Sequence, residues 1–71
     1  MHNTKYINYI LAAIKQECDK QGTNTLTTKD IRRRIDLGGL YTLIERGYLS
    51  DAGYDDDGQL LYIFNENGGN K

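Results

Sequence analysis

Few side chains here have the type and spacing for covalent chemistry. The single histidine, His2, stands near the amino terminus, and the single cysteine, Cys18, has no histidine near it in sequence. A nucleophilic thiol needs a neighbouring base or cation to ionise it, so Cys18, in phase with apolar neighbours, reads as a structural thiol. The run Asp55-Asp56-Asp57-Gly58 has carboxylates but lacks the alternating ligands and closing glutamate of a calcium loop. No metal or cofactor is expected. The pairs Gly38-Gly39 and Gly68-Gly69 lack the flanking pattern of a phosphate-binding loop. The chain therefore reads as a non-enzyme. What remains is charge at two places. Lys29, Arg32, Arg33 and Arg34 crowd one short segment, and Asp51, Asp55, Asp56 and Asp57 another. The first set suits phosphates and the second a basic surface.

Those charges must be positioned by a small frame. At 71 residues the chain makes one domain, near the lower limit for a self-sufficient core. Charged residues at 27% and hydrophobic ones at 38% suit a globular chain in water. The longest uninterrupted apolar run, residues 10 to 14, is far too short to cross a bilayer. The amino terminus lacks the apolar core of a secretory signal. One cysteine allows no internal disulfide, so a reducing, cytoplasmic location is expected. A net charge of −1 is unhelpful to DNA binding, since DNA-binding domains usually carry a basic excess.

Hydrophobic spacing predicts a first helix over residues 4 to 21. Ile7, Ile10, Leu11, Ile14 and Cys18 form one stripe, with Thr4 to cap the start and Gly22 to stop it. Tyr6, Tyr9 and Ala13 form a flanking strip. It is either extra core against a hairpin or, for Tyr6 and Tyr9, the seam of a homodimer. A polar loop at residues 21 to 25 follows, and Leu26 can pair briefly with the hairpin. Thr27 can cap a second helix, with Asp30 reaching back and Leu26 stapling onto Ile31. Ile31 and Ile35 face the core, and Leu37 closes the turn. A third helix is expected over residues 39 to 46, with Leu40, Leu43 and Ile44 inward and Gly47 as its stop. On that phasing Gly38, Thr42, Glu45 and Arg46 face outward. Residues 49 to 54 then pair with 59 to 64 across the acidic turn, where Gly58 takes a positive φ. Residues 1–64 make the domain, and 65–71 a polar, disordered tail.

This order, in which a helix pair ends in Leu43-Ile44-Glu45-Arg46-Gly47-Tyr48-Leu49 and runs into a hairpin, resembles the winged helix-turn-helix family. The resemblance covers roughly two thirds of the chain. It implies an α+β fold of three helices followed by a two-stranded wing. It also implies a binding module whose third helix is the recognition helix and whose second helix touches phosphates. On it, Lys29, Arg32, Arg33, Arg34 and Arg46 would grip a DNA backbone, with limited base readout by Thr42.

Two departures from the family pattern bear on function. The third helix is shorter, by about one turn, than in members that read bases, and Arg46 is its one good guanine reader. The wing carries Asp51, Asp55, Asp56 and Asp57 where many DNA-binding members carry basic side chains. In this it is similar to the carboxy-terminal winged helix of the middle subunit of replication protein A, which binds proteins. Two functions follow as expectations. The favoured one is a small regulator that binds double-stranded DNA. The alternative is an adaptor or inhibitor that presents the acidic wing to a basic protein surface. In size the chain resembles regulators and inhibitors encoded by phages and mobile elements.

Overall fold

A computed structural model of the chain describes residues 4–68. It is an α+β domain with three helices and a three-stranded antiparallel sheet. His2 and Gly69 lie outside the described residues.

Helix α1, Thr4–Gln21, buries Ile7, Ile10, Ile14 and Cys18 on one stripe, as their spacing requires. It ends where Gly22 takes φ +71°, letting the Gly22 and Thr23 amides return to the Cys18 carbonyl at 2.8 and 3.1 Å. Strand β1, Thr25–Thr27, follows and leads directly into α2, Thr28–Arg32. The Thr27 hydroxyl accepts from the Asp30 amide at 3.0 Å, and Leu26 and Ile31 are both sealed in the core. Thr28 donates to the Leu60 carbonyl at 3.1 Å, fastening the start of α2 to the sheet.

Helix α3, Leu37–Glu45, begins two residues before the sequence predicts. Asp36 is the reason, because its carboxylate accepts from the Gly39 amide at 2.8 Å and caps the helix. Leu37 accordingly opens α3 instead of closing the preceding turn. At the far end Gly47, φ +83°, lets the Tyr48 amide reach the Leu43 carbonyl at 2.9 Å and its own amide reach Ile44 at 3.1 Å.

Strands β2, Leu49–Tyr54, and β3, Leu60–Phe64, form the expected hairpin, with Gly58 at φ +81° in its turn. The sheet order is β1-β3-β2, so β1 adds a third strand to the two-stranded wing that the resemblance implies. Leu26 lies opposite Tyr62 in that pairing. Leu26, Leu49, Tyr62 and Phe64 turn one face of the sheet onto α1, Ile31, Ile35, Leu40 and Leu43 to close the core. Beyond Phe64, the Asn65 amide still bonds to the Tyr48 carbonyl at 2.8 Å and the Gly68 amide to the Asn65 carbonyl at 3.0 Å.

Candidate functional site

The arginine cluster divides once it is folded. Arg34 turns inward, and its Nε donates to Glu17 Oε1 of α1 at 2.9 Å. Glu17 is buried, with a side chain only 5% exposed, and also accepts from Gln21 at 2.6 Å. These two hydrogen bonds, Gln21 first and then Arg34, hold the Glu17 carboxyl below its ordinary range. Arg33 is tied to Asp30 three residues back along the chain. Hydrogen bonding, from Gln21 above all and from Thr27, likewise holds the Asp30 carboxyl low. Only Lys29, Arg32 and Arg46 of the predicted phosphate grip are exposed and form no ion pair among the described residues.

The outward face of α3 also differs from expectation. Thr42, expected to face a groove, is buried at 6% exposure, and its hydroxyl donates to the Gly38 carbonyl at 2.8 Å. That internal bond is what makes its burial tolerable. The buried face is turned toward Gly39, where a Cβ would come within 3.0 Å of the Tyr6 hydroxyl. The missing side chain leaves room for the Tyr6 hydroxyl of α1. Leu37, Gly38, Tyr41, Glu45 and Arg46 are left outside. The Gly39 amide, free in principle to meet a phosphate, is held by Asp36, and that carboxylate adds negative charge at the same helix end.

Tyr6 and Tyr9, one turn apart on α1, differ in burial. Tyr6 is half-buried beside the start of α3, with its hydroxyl 3.4 Å from Asp36 Oδ1. Burial, and next the Asp36 charge, raises its pKa. It packs against the core and reaches this helix end. Tyr9 is 68% exposed. Cys18 is buried, and burial pushes its thiol up, away from the ionised form.

The four wing aspartates hold different positions. Asp55 builds the turn: its Oδ1 accepts from the Asp57 and Gln59 amides at 3.0 and 2.8 Å. Asp51 accepts from the Gly53 amide at 2.8 Å and supports a bulge there. Asp56 and Asp57 point into solvent. Tyr41 on α3 and Tyr54 on β2 stand exposed, while Tyr62 lies buried close to both. Burial first, then Asp51, Tyr41 and Tyr54, raises the Tyr62 phenol pKa.

These tyrosines were missed because each reads singly as surface. The usable signal was the spacing of Leu37 and Tyr41, four residues apart on one helix face. Among the described residues no group of histidine, cysteine and carboxylate side chains could hold a metal ion. No helix among them is long and apolar enough to cross a membrane. Comparison with known protein families, curated proteins and solved structures finds no match. The class that the fold defines is thus a small α+β domain with helices on one face of a three-stranded antiparallel sheet.

Proposed function

We propose that the chain is a non-enzymatic winged helix-turn-helix module that binds a basic protein surface through α3 and the wing. One observation carries this reading. The segment in the place of a recognition helix exposes Leu37, Tyr41 and Glu45, and α3, β2 and β3 contain no lysine or arginine. DNA binding draws much of its affinity from basic side chains against phosphates, and a face that offers aromatic rings and carboxylates opposes it. Exposed tyrosine is instead a favoured residue at protein interfaces.

A second reading, the double-stranded DNA regulator expected from sequence, keeps support from Lys29 and Arg32 on α2 and Arg46 after α3. Titration of random duplex DNA across a salt series separates the two. The protein reading predicts weak binding even at low salt, little changed when the exposed and unpaired Lys29, Arg32 and Arg46 become Ala. Tight binding that the triple change abolishes, with a salt slope reduced by about one unit per lost phosphate contact, would favour the DNA regulator.

A further inference from the structure

The register of the wing gathers its aromatic residues. Asp51 lies opposite Tyr62 and Tyr54 opposite Leu60, so all four point to one side of the sheet, where Tyr62 is buried and Asp51 and Tyr54 stand exposed beyond the helices' cover. Asp51 and Tyr54 are an odd number of residues apart and would point to opposite faces of a regular strand. The bulge at Gly53, φ +85°, returns Tyr54 to the side of Asp51. Tyr41 is exposed at 60% and Tyr54 at 70%, and α3, which carries Tyr41, packs beside β2, which carries Asp51 and Tyr54. Carboxylates stand near both tyrosines along the chain: Glu45 lies one turn along α3 from Tyr41, and Asp51 lies three residues before Tyr54 on β2. No cation lies anywhere from residue 47 to residue 65.

We propose that this face docks an arginine-bearing segment of a partner protein, its guanidinium lying against the rings of Tyr41 and Tyr54 and bonding to Asp51. The proposal rests on the protein-binding reading and names its partner chemistry. Charge complementarity selects a cation, and the aromatic surface selects the one that stacks. Guanidinium is planar, weakly hydrated and able to bond a carboxylate while lying on a ring. A lysine ammonium would gain the charge but not the stacking.

The test titrates the protein with an oligo-arginine peptide, with oligo-lysine, and with the uncharged citrulline counterpart, following tyrosine ring signals by NMR. Oligo-arginine should bind most tightly, the citrulline peptide should not bind, and the Tyr41 and Tyr54 ring signals should shift. Tyr41→Ala and Tyr54→Ala should each weaken binding by roughly twofold to thirtyfold. Tyr41→Phe and Tyr54→Phe should retain it, because the ring face is kept, and Asp51→Asn should weaken it. Melting of each variant checks that it is folded. Phenylalanine variants as weak as the alanine ones would overturn the proposal, as would equal affinity for lysine and arginine. If the tyrosine variants bind like the parent while Asp56→Asn with Asp57→Asn loses binding, the stacking site falls and an acidic-wing protein binder stands. Shifts at Lys29, Arg32 and Arg46 on titration with random duplex DNA alone, with no response of the protein to any of the peptides, would end both.

Discussion

The α1–α2 side pairs charged side chains with one another, whereas the α3–wing side sets its carboxylates on backbone amides. On the first, charge is used internally: Arg34 bonds to Glu17, Arg33 pairs with Asp30, and Gln21 supports Glu17. On the second, Tyr41, Tyr54, Asp56 and Asp57 face solvent. Each run of three like charges is thus only partly available in the fold, Arg34 being held by Glu17 and Asp55 by the amides of its own turn. A basic cluster is a binding surface only to the extent that its own protein leaves it unpaired.

Both sides share one core, and breaking it should affect them alike. Ile14 of α1 and Leu43 of α3 are fully buried. Ile14→Ala and Leu43→Ala should each cost roughly 2–5 kcal/mol, enough to unfold much of so small a domain. Thermal melting checks this, and a variant that melts with the parent would refute the shared core.

The next effect is confined to the α1–α2 side. The folded Glu17 carboxyl titrates below its ordinary 4.5, so its contribution to stability is present above that pH. It is lost as the pH falls below 4.5 through the folded value. Asp30 acts in the same direction, below its ordinary 3.8. Glu17→Gln should lower the melting temperature at neutral pH and flatten the acid limb of a stability–pH curve. A limb as steep as the parent's would remove the Glu17–Arg34 pair from the account.

Asp36→Ala, which uncaps α3, should cost about 1 kcal/mol in denaturant unfolding. Loss well below that would mean that Asp36 does not fix where α3 begins. Smallest is the effect expected on the other side. Tyr41→Ser and Tyr54→Ser should change stability by no more than about 0.5 kcal/mol, because both rings are exposed. A larger loss would make them structural and weaken their role in binding.

Sequence made the frame legible wherever a local rule governed it. The α1 stripe, the Thr27 cap, the Gly22 and Gly47 stops and the Gly58 turn each follow from residues close together in the chain. It failed where distant residues decide. Nothing near Arg34 shows that Glu17, 17 positions earlier, will hold it. The wheel drawn from Leu40, Leu43 and Ile44 does not show that Gly39 makes room for Tyr6, or that Thr42 is buried with its hydroxyl on the Gly38 carbonyl. Asp36 was legible in principle, as a capping residue three positions before the amide it binds. The candidate site was less legible than the fold, because Tyr54 joins Asp51 and Tyr62 only through the bulge at Gly53.

The most direct test of the central claim is a residue-resolved amide chemical-shift map, recorded at low salt with oligo-arginine and separately with random duplex DNA. If the protein-binding reading holds, the peptide perturbs Tyr41, Asp51 and Tyr54 while DNA leaves α3 and the wing unmoved. Perturbation of α3 and Arg46 by DNA, with no response of Tyr41 or Tyr54 to the peptide, would contradict it.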